Sequence, residues 1–387
     1  MSARSIRAVM VTPSAFGGHA RYTWELMTAL RAAAPPSDLD LTLLTSVDLA
    51  PEFRAEHYAI ADVLPPLRRT FANKLEWAAS RSLHYARREE AVLRWVRGQA
   101  PIDIVHYQEP PFAPALHFRR VRAAGPHPVA TVHNVRPHSY PIPALRWVND
   151  VSAHLGWRQC AALFVHSPGL RDQLASELGR RAPPVVPIPH GVWTGHRVAS
   201  SPPRGEGYLL LFGVMRRNKG VHLMLDSLRH LPGKRLVLAG AIPEPSLARE
   251  IRHRIDSERL PVELLDRFVP EAEIAPIFAG ASLAVLPYVD FVAQSGVLHM
   301  AISYGIPVVV TDVGALGEQV RRERIGTVAA AAEPSALASA VVSALEPAVY
   351  EAASRHCVTL ARTLSWSAAA QLTLEEYRRI CSCRSPR

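Results

Sequence analysis

The chain has 387 residues, of which 48% are hydrophobic and 20% charged, and it carries a formal net charge of +10. That length exceeds one ordinary core and fits two α/β domains, and the composition excludes a disordered or fibrous chain. No apolar run approaches the roughly 18–20 residues that span a bilayer, and the positive surplus asks for an anionic partner.

Short apolar runs alternate with amphipathic stretches, the pattern of a parallel α/β architecture. The first run, 6–12, is too short for a signal-peptide core and reads as a strand, so the expected location is the cytoplasm. Further strands are predicted at 40–45, 104–107, 129–133, 162–166 and 185–188, with helices at 21–31, 72–96 and 169–178. A polar stretch at 194–206 reads as a linker between a first domain, 1–193, and a second, 207–366. There the alternation restarts, with strands at 208–213, 235–239, 262–265, 283–286, 307–311 and 328–330. Amphipathic stretches lie between them at 220–228, 246–258, 273–278 and 297–304. A last helix, 367–380, is expected to pack back onto the first domain. Proline pairs such as Pro65-Pro66 and Pro183-Pro184 punctuate the loops. Cys160 and Cys357 sit among apolar residues as core positions, and the pair Cys381 and Cys383 lacks the further ligands of a zinc site.

Several strand ends carry chemistry. After the first strand, PSAFGGHARY places Gly17 and Gly18 before a helix, where the backbone can approach a ligand and free N–H groups can meet an anion. The spacing is not that of a dinucleotide fingerprint, so NAD or FAD is not expected. In LFGVMRRNKG, Arg216, Arg217 and Lys219 crowd one strand–helix connection. They would repel one another unless an anion binds or water separates them, so a phosphate site and a solvated basic loop are both open. Gln294, Ser295 and Gly296 open a helix, either as a simple cap or as a turn whose N–H groups meet a phosphate. Gly314 and Glu318 follow the run 308–311 in a predicted strand–helix loop.

His133 ends the run ATVHN at a strand's carboxyl end, where a structural and a catalytic histidine are both admissible. His106, His166 and His190 also end strand-like runs, but no H-E-x-x-H or carboxylate pairing accompanies them, so no metal site is expected. Asp38 and Asp40 form a D-x-D at a strand's amino end, away from the binding edge. The basic stretch 68–97 interleaves Arg68, Arg69, Lys74, Arg81, Arg87, Arg88, Arg94 and Arg97 with Phe71, Trp77, Tyr85 and Trp95. It fits either peripheral contact with an anionic membrane or a surface helix whose aromatic face packs on its domain. No zinc-finger, RRM or KH signature is present, and nucleic acid is not expected as a partner.

In order, the motifs PSAFGGHARY, DIVHYQEP, TVHN, HSPGLRDQL, IPHGV, LFGVMRRNKG, LVLAG and LPYVDFVAQSGVLHMAISYGIPVVVTDVGALGE resemble those of retaining glycosyltransferases of the GT-B fold, family 4. The terminal SW…LEEYRRI is similar to that family's closing helix. The resemblance implies two Rossmann-like, doubly wound α/β domains facing a cleft, the first shaping the acceptor site and the second holding a nucleotide-sugar. It implies that Arg216 and Lys219 hold the donor diphosphate, with Arg217 an adjacent candidate. Gln294, Ser295 and Gly296 would form the donor-side turn, the last two offering backbone N–H groups. Gly17 and Gly18 would approach from the first domain, His133 would sit by the reacting carbon, and Glu318 would border the nucleotide. Many members carry two glutamates where this chain has Val292 and Met300, so it resembles the QSGVL variant. The implied activity is metal-independent, retaining transfer of a hexosyl unit from a UDP- or GDP-sugar to a hydroxyl acceptor, a lipid-linked glycan or a natural-product core. No cofactor is implied. A sugar-nucleotide epimerase and a non-catalytic nucleotide-sugar-binding protein are the alternatives.

Overall fold

The computed structural model describes residues 4–66, 74–133, 146–193, 207–290, 295–314 and 316–382, with backbone alone at 74–82, 146 and 149. The chain divides into two units, Met1–His190 with Trp366–Arg387, and Gly191–Ser365.

The strands of the first unit are β1 (Ile6–Thr12), β2 (Leu39–Ser46), β3 (Ala59–Leu64), β4 (Ile104–Tyr107), β5 (His127–Thr131), β6 (Ala162–Val165) and β7 (Val185–Pro187). They form one parallel sheet in the order β3-β2-β1-β4-β5-β6-β7. The central strands are covered on both faces, which is why β4 and β6 are buried at every position. The helices are α1 (Gly18–Ala33), α2 (Lys74–Gly98), α3 (Pro114–Ala123), α4 (Arg146–Trp157) and α5 (Pro168–Leu178). In α1, Tyr22, Leu26 and Leu30 recur every four residues and are buried together with Met27.

The second unit contains β8 (Tyr208–Phe212), β9 (Leu236–Ala239), β10 (Val262–Leu265), β11 (Ala281–Leu286), β12 (Val308–Thr311) and β13 (Gly326–Ala329), all parallel, in the order β10-β9-β8-β11-β12-β13. Its helices are α6 (Val221–Ser227), α7 (Pro245–Ser257), α8 (Glu271–Ala279), α9 (Gly296–Ser303), α10 (Leu316–Glu323), α11 (Pro334–Ala344) and α12 (Pro347–Thr363). The closing helix, α13 (Trp366–Ser382), belongs to the first unit, where Tyr377 Oη lies 2.6 Å from His106 Nδ1 and the Trp366 ring lies 5.0 Å from that of Tyr22.

Both sheets have doubly wound order, and each reverses direction beside its first strand, between β1 and β4 and between β8 and β11. Ligands of such sheets bind outside the carboxyl ends of the strands at that switch point. The two chemistry-bearing loops of the second unit, after β8 and after β11, flank its switch point.

Three features depart from the sequence reading. The edge strand β3 was not anticipated, because Asp62 interrupts its apolar run; that carboxylate pairs with Arg54 at 3.0 Å. Glu318 lies in the first turn of α10 and not in a loop, a position where the positive helix end favours an acidic side chain. Helices α3, α4, α11 and α12 were also unread; α11, PSALASAVVSA, is too uniformly apolar to show a period. Cys160 and Cys357 are buried and free, and Asp40 pairs with Arg7 at 3.1 Å. No described helix is long and apolar enough to cross a membrane.

Candidate functional site

From β8 the chain crosses to α6 through a 3₁₀ turn, Arg217–Lys219, closed by Gly220 in the left-handed region at φ 67. Glycine is required there, since a Cβ would lie 1.7 Å from the carbonyl oxygen of Pro287. Asn218 extends the contact: its Nδ2 donates to Asp290 O at 3.1 Å, and its carbonyl accepts from Val289 N at 3.0 Å. The loops after adjacent strands β8 and β11 are thereby joined backbone to backbone.

This joint fixes Lys219, whose ammonium lies 3.8 Å from the centre of the Tyr288 ring, a favourable cation–π placement. Tyr288 is held in turn, its carbonyl accepting from Thr311 Oγ1 and its hydroxyl lying 3.3 Å from Ser295 Oγ. Ser295 caps α9, its Oγ accepting from Leu298 N at 3.4 Å. Among the described residues nothing accepts from the backbone N–H groups of Gly296 and Val297. Lysine, tyrosine and helix amino end therefore share one sheet edge, an arrangement that attracts anions. Beside it Arg216 is exposed, with no side-chain partner among the described residues. Arg217 instead pairs with Glu244 at 2.7 Å and Glu250 at 3.5 Å. His299 is buried under the cap, its Nδ1 3.0 Å from Ser295 O, and burial pushes its pKa down to about 4.

At the carboxyl edge of the first unit, Gly17 caps α1 at φ 79, and a Cβ at Gly17 or Gly18 would meet nothing within 4 Å. Packing leaves open space at both glycines. The start of this loop is pinned by Glu109, whose Oε1 accepts from Ser14 N at 3.1 Å. His133 lies two residues beyond β5, with its Nδ1 3.0 Å from His166 Nε2. The rings of His19 and Tyr22 present edges to it at 4.8 and 4.6 Å, and His190 lies 5.3 Å from His166. Burial above all, and then the neighbouring histidines, hold the His133 pKa well below its ordinary value, so the ring is neutral at pH 7. Its Nε2 is buried without a hydrogen-bond partner among the described residues. His106 differs from the other three. It lies inside β4, bonded to Tyr377 Oη and to Thr131 Oγ1 at 2.8 Å, and burial takes its pKa to about 3. Among the described residues no group of three or more His, Cys, Asp or Glu side chains is arranged to hold a metal ion.

Two family models match consecutive parts of the chain: Glycosyltransferase Family 4 over residues 16–195, and Glycosyl transferases group 1 over residues 206–347. The chain carries a glycosyltransferase family 4 domain followed by a glycosyl transferases group 1 domain. Curated relatives include a glycogen synthase of Mycobacterium tuberculosis, 27% identical over 233 residues, 57% of this chain and 54% of that protein. A D-inositol 3-phosphate glycosyltransferase of Mycobacterium avium is 29% identical over 189 residues, 47% of this chain and 44% of that protein. These matches span about half the length of either relative. Among solved structures, a sucrose-phosphate synthase from Thermosynechococcus elongatus superposes with a TM-score of 0.75 at 17% identity, covering 97% of this chain and 99% of that one. HepE from Anabaena, in complex with UDP and glucose, gives 0.69 at 15% identity, covering 97% and 100%. Likeness at these identities establishes the fold, GT-B.

Within the group 1 domain the structure brings Lys219, Ser295 and Gly296 together and leaves Arg216 exposed beside them, while Arg217 is turned toward carboxylates. Glu318 is exposed on α10. Gln294 and Val292 lie outside the described residues, and Met300 is a core residue of α9. Of the basic stretch, Arg68, Arg69 and Phe71 lie outside the described residues, as do the side chains of Lys74, Leu75, Trp77 and Arg81. Arg88 is buried, donating to Pro65 O, Pro13 O and Ser46 Oγ, and Trp95 packs against the core, whereas Arg87, Arg94 and Arg97 are exposed. Sequence reasoning missed Tyr288, Asn218, His19 and Tyr22. Tyr288 carried a usable signal, an aromatic two residues beyond the apolar run of β11; the others act through side-chain directions that only folding sets.

Proposed function

We propose that this chain is a metal-independent, retaining glycosyltransferase that moves a hexosyl unit from a UDP- or GDP-sugar to a hydroxyl acceptor. The observation that carries the reading is the backbone joint between the 217–220 and 287–290 segments, which holds Lys219 against Tyr288 at the amino end of α9. Departure of the nucleoside diphosphate builds negative charge on its β-phosphate. Cations and helix dipoles already in place stabilise that charge without reorganising at the moment of reaction, and Arg216 with Lys219 would supply it from side chains. The reacting carbon becomes oxocarbenium-like, the acceptor hydroxyl attacks from the face the phosphate leaves, and the departing phosphate takes its proton. A neutral His133 suits a place near such a carbon, because a cation there would oppose the developing positive charge. The open space at Gly17 and Gly18 would admit the donor's phosphates or sugar. HepE's complex with UDP and glucose puts UDP-glucose first among donors to test. The exposed arginines of α2 would give the protein a peripheral contact with anionic membrane.

A thermal-shift screen of UDP-, GDP-, ADP- and dTDP-sugars identifies the donor, since a ligand of the native state raises its stability. Lys219→Ala and Arg216→Ala are expected to abolish transfer in a folded protein. Near-wild-type turnover in both would refute the diphosphate assignment, and activity lost with EDTA and regained with Mn²⁺ would refute metal independence.

A further inference from the structure

The sheet of the first unit has a switch point of its own, between β1 and β4, and a cavity of about 40 Å³ lies there. By the roughly 10–15 Å³ that one water-sized group occupies, it takes about three such groups. Pro13 and Glu109 line it from the loops after β1 and β4, Tyr85 and Glu89 from α2, Phe112 from the approach to α3, and His117 from α3 itself.

Its polar groups are incompletely matched. His117 is 1% exposed; its Nε2 lies 2.8 Å from Tyr107 Oη, while its Nδ1 has no hydrogen-bond partner among the described residues. The nearest carboxylate oxygen, Glu89 Oε2, stands 3.8 Å from that nitrogen, beyond hydrogen-bond reach. Glu89 Oε1 is engaged by Ala113 N at 3.0 Å. A hydroxyl oxygen seated beside the pair could bond both at once, donating to the carboxylate. Burial takes the His117 pKa down to about 4, so the imidazole is neutral and adapts its tautomer to the guest.

Charge decides what kind of guest fits. Among the described residues the only guanidinium in the lining, Arg88, already gives Nε, Nη1 and Nη2 to Pro65 O, Pro13 O and Ser46 Oγ. Two carboxylates, Glu89 and Glu109, face the same space. A phosphate would meet like charge there despite the chain's net +10. At the mouth, Phe112 is 53% exposed and stacks on Tyr85 at 5.9 Å with an 11° interplanar angle, presenting an apolar plate.

We infer that this cavity is a subsite for a neutral polyhydroxylated ring, whose hydroxyl edge enters between His117 and Glu89 and whose apolar face rests on Phe112. As the acceptor's subsite it rests on the glycosyltransferase reading above; as a binding site it stands alone. The test is ligand-observed saturation-transfer NMR on the full chain with methyl α-glucopyranoside and myo-inositol, and glucose 6-phosphate as the charged comparison. One neutral ring is expected to bind, to weaken about tenfold in Glu89→Gln and in Phe112→Ala, and to outcompete glucose 6-phosphate. Failure of both neutral rings to bind, binding indifferent to both substitutions, or equally tight and equally sensitive binding of glucose 6-phosphate would overturn the inference. Melting temperatures of the two variants establish that they fold. Ring binding of the expected kind without transfer from any UDP- or GDP-sugar supports the subsite and counts against the transferase reading alone.

Discussion

Gly220→Ala puts the joint at the second sheet's switch point under direct strain. A left-handed backbone costs an L-residue about 1–2 kcal/mol, and the new Cβ would stand 1.7 Å from Pro287 O, where side-chain carbons do not approach below 3.0 Å. The two backbones must separate by more than 1 Å, breaking the Asn218–Val289 bond and drawing Lys219 off the Tyr288 ring. A misplacement of about 1 Å at a reacting site costs on the order of a hundredfold in rate. The sheet itself is untouched, because β8 and β11 pair upstream of the loops. The expected result is a folded protein with a small loss of melting temperature, a lost or much reduced stabilisation by nucleotide-sugar, and kcat/KM down by about a hundredfold. The assay is donor-dependent thermal shift beside initial-rate kinetics. Wild-type donor stabilisation in a folded Gly220→Ala protein would refute the claim that the joint builds the anion site.

The remaining predictions concern side chains. His106, whose pKa lies about 3 in the fold against about 6.5 unfolded, is neutral in the native state while the unfolded chain takes up a proton. Its contribution to stability is full above about pH 6.5 and is lost toward pH 3 at about 1.4 kcal/mol per pH unit; His106→Gln should flatten the urea-unfolding free energy against pH by about one proton, and an unchanged slope would count against it. Arg217→Ala removes an exposed pair with Glu244 and should leave kcat/KM within about fivefold of wild type, in contrast to Arg216→Ala; equal losses would place Arg217 in the phosphate site. His166→Ala removes the partner of His133 Nδ1 and should lower kcat by about tenfold with donor KM unchanged, whereas a rise in KM alone would assign the pair to donor binding.

Much of the fold is written in local patterns. Continuous apolar runs such as those of β1, β8 and β11 and the glycine-rich connections after them were readable, because a parallel strand covered on both faces needs an unbroken apolar segment. The half-exposed edge strand β3 and the uniformly apolar α11 gave no period and went unread. At the site, the residue types were legible: three cations in one loop, a serine cap, a histidine at a strand end. What each cation does was not, since an Arg216 left exposed and an Arg217 turned to Glu244 are adjacent and chemically identical in the sequence. Of four similar histidines, three converge on one edge and His106 is locked inside its strand by Tyr377, 271 residues away. The chain alone determined which groups stand near the carboxyl ends of its strands, because strand and turn are set by neighbours in sequence. Which of them are fixed, neutral or unpartnered was decided by packing between distant segments, because hydrogen bonding and burial depend on what the fold brings alongside.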